Sequence, residues 1–452
     1  MKRAPKYSRA NMLLQSLAVA CSLIAGTSLG SSTEVYLRAG LTTNTMPDGR
    51  QVVMWGFARD TAFGARDGVV SVPGPALEIR PDSTSLVIYL DNDLPEPVSV
   101  VIPGLICADA PVPVRATDGR ALSFTHEAAP GNTVAEVYTW NDLRPGSFLY
   151  ESGSHSAVQI QMGLYGFVKK DAAFGQPYPG VLHNGEVILL YSEIDPSLHD
   201  AVATGNYGTN KAMTSTIDYE PKYFLVNGHS YTNGMLPLHA GRPGDTILLR
   251  FLNAGLGTRV PIVNGAYLRL VAEDGFAYPY PRDQYSVFLP AGKTMDALFT
   301  SGVSNVLAVY DRRLGLVNGQ VSPGGMLTYL DVSQPVQETV PPAWWLQQYF
   351  GAGPYPTNVM PAYIAGLDPT NPASLFQISS VVCLPADQGT EVSFRPTTTN
   401  RLYDLESTAN LMTGPWTPVY SNVPGSVSWM YLVAPATSTN KGAFFRVSVR
   451  MP

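Results

Sequence analysis

The 452-residue chain is 45% hydrophobic but only 14% charged, against roughly 25% charged in ordinary soluble domains, and it carries 41 glycines and 38 prolines. Such a composition excludes a disordered chain or a coiled coil, and with 24 Tyr and 16 Phe it points to many short strands. Four of the 29 bases lie in the first nine residues, so the remainder sets 25 bases against 35 acids and offers no basic footprint for nucleic acid or an anionic membrane.

At the N-terminus, Lys2, Arg3, Lys6 and Arg9 lead into the apolar run Met12 to Ile24 and the small polar run Gly26 to Ser32. That order reads as an export signal over residues 1–30, cleaved near Gly30, which places the mature protein in the periplasm, on the outer surface or in the medium. A retained anchor is the alternative, but Gln15, Ser16 and Ser22 interrupt a segment already short of the roughly 20 apolar residues a span needs. Ala18-Val19-Ala20-Cys21 also resembles a lipoprotein cleavage box, with Ala where Leu is expected. No later segment is apolar enough to span a bilayer. Two cysteines follow the signal, Cys107 and Cys383, and at 276 positions apart they read as independent thiols rather than a bridge.

From Val35 to Val168 the pattern is β. Leu86 to Leu90, Val98 to Ile102, Ala135 to Trp140 and Phe148 to Tyr150 are short apolar or alternating runs, set apart by turns such as Pro73-Gly74-Pro75 and Pro130-Gly131-Asn132. A second β stretch runs from Glu186 to Leu330, through Tyr223 to Gly228, Thr246 to Phe251 and Leu268 to Ala272. Eight prolines between 333 and 375 mark a linker, with one helical turn expected at Ala343 to Tyr349; short strands resume from Phe376 to Arg450. The expected fold class is all-β: two Greek-key sandwiches over 33–172 and 180–333, a Pro-rich linker over 334–375 and a small C-terminal β-sandwich over 376–452.

These segments carry a resemblance. Val72-Pro73-Gly74-Pro75-Ala76-Leu77-Glu78-Ile79, Tyr89 to Leu94, and Pro145-Gly146-Ser147-Phe148-Leu149-Tyr150 through Gly163-Leu164-Tyr165-Gly166 resemble the first cupredoxin (plastocyanin-like) domain of the multicopper oxidases. Tyr223 to Gly228, Gly244 to Gly255 and Ala272-Glu273-Asp274-Gly275 resemble the second. Ala343-Trp344-Trp345 to Gly351 and Tyr363 to Pro372 resemble a linker of exported proteins of the Verrucomicrobia, and Leu402 to Ser407, Gly414 to Thr417 and Phe444 to Val447 the C-terminal β-sandwich that follows it. That last module implies attachment or stability rather than chemistry. No acid lies between Gly353 and Ala362, so the calcium loop such linkers often carry is not expected.

The superfamily resemblance implies a copper-binding oxidoreductase, with one copper held by Cys and two His and a trinuclear cluster held by eight His. This chain has six histidines in all. The first His-x-His pair falls where it reads Ser99-Val100-Val101-Ile102-Pro103-Gly104, and the second falls at Tyr150-Glu151-Ser152-Gly153-Ser154-His155, where one His has become Glu151 and one residue is inserted. The His-Cys-His segment of a last domain has no counterpart, and no complete trinuclear cluster is expected. Trimeric two-domain relatives make a homo-oligomer compatible with the resemblance, but their shared clusters need the same His pairs.

A smaller site is left. His126, Glu151 and His155 flank strands that neighbour each other in a cupredoxin sandwich, and two imidazoles with a carboxylate suffice for one copper, zinc or iron ion; Met162 or Cys107 is a candidate sulfur ligand. The alternative is two hydrogen-bonded loop histidines. His183 and His199 read as residues of polar turns, His229 follows a turn glycine, and His239 reads as structural. The charges at Glu273, Asp274, Asp283, Asp296, Asp311, Arg312 and Arg313 read as a surface ion-pair network. The functional alternatives are therefore a copper-binding oxidoreductase with degenerate ligands and a non-catalytic extracellular binding or scaffold protein. Cell-surface and small-molecule partners are both open at this point.

Overall fold

The computed structural model describes residues 31–333 except 109–111, 174 and 303–304, and beyond them 346, 349–350, 359–371, 374–384, 389–398, 401–409, 416–426, 429–435 and 443–450. The expected export signal lies outside the described residues, as does much of the expected linker.

The first unit contains β1 (Ser31–Thr45), β2 (Gln51–Asp60), β3 (Leu77–Ile79), β4 (Ser83–Asn92), β5 (Val114–Arg115), β6 (Ala121–Ser123), β7 (Glu136–Trp140), β8 (Gly146–Glu151), helix α1 (Ser156–Met162) and β9 (Tyr165–Lys170). One sheet has the order β2-β1-β4-β7, the facing one β3-β9-β8, and β5 pairs with β6. Alternation in β4 decides which face is core: Leu86, Ile88 and Leu90 are fully buried, while Tyr89 turns outward and stacks on Tyr36 with ring centroids 4.9 Å apart. They meet Val98, Val100, Phe148, Tyr150 and Val168 in one apolar cluster, each large side chain contributing roughly 1.5–3 kcal/mol of transfer free energy.

The second unit contains β10 (Gly185–Ile194), α2 (Pro196–Ala203), β11 (Tyr223–Val226), β12 (Leu238–His239), β13 (Thr246–Asn253), β14 (Pro261–Val263), β15 (Leu268–Glu273), β16 (Phe276–Gln284), β17 (Thr294–Thr300), β18 (Asn305–Asp311) and β19 (Leu327–Val332). Its sheets run β11-β10-β13-β17-β15-β16 and β12-β19-β18-β14. Asp195 starts α2 by accepting a hydrogen bond from Ser197 N, with Pro196 at the first helical position. His199 is therefore a helix residue, 1% exposed, and not part of a polar turn. Beyond the second unit come α3 (Met360–Ala365), β20 (Gln377–Cys383), β21 (Thr390–Arg395), β22 (Leu402–Thr408), β23 (Thr417–Pro424), β24 (Met430–Ala434) and β25 (Phe444–Arg450). Two three-stranded sheets, β20-β21-β24 and β23-β22-β25, close over Val392, Phe394, Tyr403, Leu405 and Leu432. The described structure is nearly all β, as three sandwiches. No helix among the described residues is long and apolar enough to cross a membrane.

The first two units share a seam. Met54, Leu149, Tyr165 and Phe167 of the first pack against Leu190, Ile194, Tyr223 and Leu252 of the second in one buried cluster. Beside it lies a charged knot. Arg250, fully buried on β13, donates to Glu186, to Asp171 at 2.5 Å and to Ser147 Oγ at 3.0 Å, with Asp296 at 3.8 Å. Ser147 Oγ donates to Asp296 at 2.7 Å, Tyr178 OH donates to its other oxygen at 2.5 Å, and Lys169 reaches Glu186 at 2.5 Å. Gly146 admits this contact because a Cβ there would come within 2.5 Å of the Gly275 backbone. Asp296 and Asp311, expected at the surface, are 1% and 0% exposed. Asp311 sits with buried Arg259 and Glu193 and accepts from Val260 N at 2.8 Å. The reason is sequence position: both carboxylates lie on central strands whose neighbours carry a guanidinium to match.

Candidate functional site

Three segments of the first unit meet where the sequence directs attention. Val101 and Glu151 exchange both backbone hydrogen bonds at 2.9 Å; Val98 does the same with Ala128, and Ser123 bridges Ser154. Phe124 N donates to Gly153 O at 3.1 Å, and His155 N to Leu122 O at 2.9 Å. The stretch 98–102, expected as a strand, is thus held by isolated bridges, which still bring the two segments at which the resemblance places the His pairs side by side. Gly153 permits that approach: a Cβ there would lie 2.7 Å from Val101 Cγ1 and 2.9 Å from Ser99 Oγ.

Hydroxyls fill the centre of this meeting point. Ser154 Oγ lies 2.9 Å from Ser99 Oγ, 3.3 Å from Ser123 Oγ and 2.6 Å from Glu127 Oε1, and Ser152 Oγ donates to Gln159 Oε1 at 2.7 Å. All four serines are at most 1% exposed. Reading for imidazoles misses this network; the signal for it was the repeated serine in Ser152-Gly153-Ser154 opposite Ser99 and Ser123.

The three expected site residues surround the network with different partners. His126 stacks on Tyr138 at 4.3 Å, and both ring nitrogens are engaged, Nδ1 with Thr125 Oγ1 at 3.1 Å and Nε2 with Val137 O at 3.0 Å. His155 occupies the left-handed region at φ 43°, its half-exposed ring lying beside Tyr207 with Nδ1 3.6 Å from Glu96. That contact, against the opposing cost of burial, holds the Glu96 carboxyl below its usual range. Glu151 is the outlier: burial alone pushes its carboxyl up to about 7, and no hydrogen bond or opposite charge compensates it among the described residues.

Among the described residues, no three His, Cys, Asp or Glu side chains lie together as a metal-binding group. Met162 is fully buried in the first core, and Cys107 packs at its margin; both Cys107 and Cys383 are free thiols. Of the other histidines, His199 Nδ1 bonds Val53 O at 2.8 Å and His183 Nδ1 bonds Gly185 O at 3.1 Å. Burial lowers the pKa of both. Residues 99–104, where the resemblance places the first pair, hold no His, Cys, Asp or Glu, so the donors there do not fit the superfamily's copper sets, and hydroxyls bonded to each other stand beside them.

No protein-family model matches the chain. Two curated proteins are similar to it: Copper resistance protein A of Escherichia coli, 27% identical over 253 residues, and its homolog of Pseudomonas syringae pv. tomato, 27% over 261. The matches take in 48% and 50% of this chain but only 40% and 41% of those proteins. In fold, the chain is similar to the blue copper oxidase of Nitrosomonas europaea (TM-score 0.53, 18% identity, 67% of this chain and 86% of that one). It is also similar to the multicopper oxidase mgLAC (TM-score 0.53, 19% identity, 73% and 92%). The paired sandwiches thus share the cupredoxin-like fold of the multicopper oxidases, and in sequence the chain is similar over about half its length to the two copper resistance proteins.

Proposed function

We propose that this chain is a copper-binding, oxidoreductase-like protein in which a single ion replaces the superfamily's clusters. Glu151 and His155 would be its first ligands and His126 the third. The observation that carries this reading is Glu151, a partly buried carboxyl with no partner among the described residues, on the strand where the resemblance places a copper ligand. An uncompensated, largely desolvated carboxyl is costly, and a cation is one of the few occupants that would repay it. His155 supports the reading with a ring 47% exposed. His126 has to exchange its bond to Val137 O for the ion. Such an ion would supply Lewis-acid or one-electron chemistry, and a single ion could not carry four electrons to dioxygen in the superfamily's manner. The proposed boundaries of the two cupredoxin units are 33–172 and 180–333, and the protein is proposed to be exported, in keeping with the signal read over residues 1–30.

The test is metal stoichiometry by mass spectrometry of protein equilibrated with copper, zinc and iron(II). One ion per chain is expected, with binding lost in Glu151→Gln and His155→Ala and weakened in His126→Ala. Binding unaltered in all three, or none in the wild type, would overturn the reading. The second reading, a non-catalytic extracellular binding or scaffold protein, is favoured by one observation: the serine network satisfies its own hydrogen bonds without an ion. Full occupancy with an intense blue band would defeat both readings.

A further inference from the structure

The C-terminal sandwich has one face too many buried for a tethered module. On β21 and β24, Val392, Phe394 and Leu432 form its own core, so Glu391, Ser393 and Tyr431 belong to the opposite, outer face. Standing alone, that face would be wet. Yet Glu391 is 6% exposed and Ser393 7%. Their cover is the first unit. Arg80, in the turn after β3, pairs with Glu391 through both terminal nitrogens, and its remaining donors hold Asp82 at 3.0 Å. The guanidinium plane also lies over Tyr431, 4.2 Å from its centroid, and 5.7 Å from that of Trp429. An ion pair, a bidentate fork and two aromatic faces converge on one side chain that only Arg can satisfy.

The second unit is gripped too. Arg401, Leu402 and Pro424 of the C-terminal sandwich line a narrow cleft with Asn184, Glu186 and His239. Glu186 is the carboxylate that Arg250 and Lys169 hold at the seam. The C-terminal sandwich therefore sits across the join between the first two units, beside their charged knot. Arg401 also donates to the carbonyls of Tyr363 and Ile364 at 2.8 and 2.7 Å, which fastens α3 to the same module.

We propose that the C-terminal sandwich is a built-in clamp across the seam of the two cupredoxin units, docked through its Glu391–Trp429–Tyr431 face on Arg80, and not a free attachment module. Its partner is its own chain, and the docking face is unavailable to a cell surface or a second protein while the clamp is closed.

The test uses the full chain in four forms: wild type, Arg80→Ala, Glu391→Gln and Arg80→Lys. Limited proteolysis measures release of the C-terminal piece, and small-angle scattering measures its detachment. Cleavage between the modules tracks the population of the open form. Each substitution is expected to raise the release rate about tenfold or more, since it leaves one member of a largely buried pair uncompensated, and to increase the radius of gyration. Arg80→Lys keeps the charge but not the fork or the stacking plane, and is expected to fall between. Release rates and scattering identical in all four proteins would overturn the clamp. A far-ultraviolet dichroism spectrum unchanged between variants separates detachment from unfolding.

Discussion

Arg250→Met removes the one guanidinium that joins Asp171, Glu186 and Asp296, while keeping much of its volume and leaving every backbone hydrogen bond of β13 in place. Arg250 is fully buried, so no water replaces it at once. Of the three carboxylates, Glu186 keeps Lys169 and Asp296 keeps donors from Ser147 and Tyr178. Asp171 is stranded. Breaking a buried pair costs about 3–5 kcal/mol, and at about 2–4 °C per kcal/mol for a unit of this size the melting temperature should fall by roughly 6–20 °C. The loss should depend on pH. Burial raises the Asp296 pKa even in the wild type, with Arg250 pulling it down; without Arg250 it rises further. A folded pKa raised above the unfolded one makes the penalty complete at high pH and relieves it as pH falls through the folded value. Calorimetry of the metal-free full chain at pH 8 and pH 5 should therefore show the larger deficit at pH 8. A melting temperature within 2 °C of wild type at pH 8 would refute the argument that this knot holds the two units together.

Glu151→Gln in metal-free protein should stabilise the fold at pH 8 by up to about 3 kcal/mol and leave it unchanged near pH 4.5, because a carboxyl raised from 4.5 to about 7 loses its stabilising margin as pH rises between those values; urea titrations at the two pH values measure this, and equal effects at both would contradict it. His199, held neutral by burial, contributes stability that is present above its unfolded pKa near 6.5 and lost as pH falls below it. His199→Gln should flatten the melting curve's dependence on pH below about 6.5, and an unaltered slope would exclude His199 as a source. Ser154→Ala leaves Ser99, Ser123 and Glu127 short of a partner and should cost about 1–3 kcal/mol in denaturant. A cost below about 0.5 kcal/mol would mean that water replaces the hydroxyl freely.

Much of this architecture could be read from residue order alone, where period-2 alternation met turn chemistry. Leu86-Val87-Ile88-Tyr89-Leu90 declares both its state and its buried face, and Pro73-Gly74-Pro75 marks the break before β3. What stayed hidden was long-range pairing of charge. Arg250 stands inside Ile247-Leu248-Leu249-Arg250-Phe251, and nothing local reveals that its partners come from residues 171, 186 and 296. For the same reason Asp296 and Asp311 looked solvated. At the candidate site, the adjacency of residues 98–102 and 150–155 was legible through the resemblance. The side-chain directions were not, because nothing local in Ser152-Gly153-Ser154 shows that its serines meet Ser99 and Ser123. Helix α1 was hidden because the whole stretch from Val35 to Val168 read as β.

The order of pairing sets a schedule for folding. In the first unit β3, at residues 77–79, pairs in parallel with β9, at residues 168–170, and in the second β12 joins β19 some ninety residues downstream. Parallel partners so far apart cannot meet by a local hairpin, and loop closure comes before any gain from contact. Neither sandwich can complete its second sheet until its last strand has been made. A chain emerging N-terminus first would hold the β1–β2 hairpin early and keep both faces of the first unit open for about 170 residues of synthesis. The expected signature is slow refolding, on the millisecond-to-second scale of nonlocal β topologies, together with a long interval in which a chaperone can hold the polypeptide before it closes.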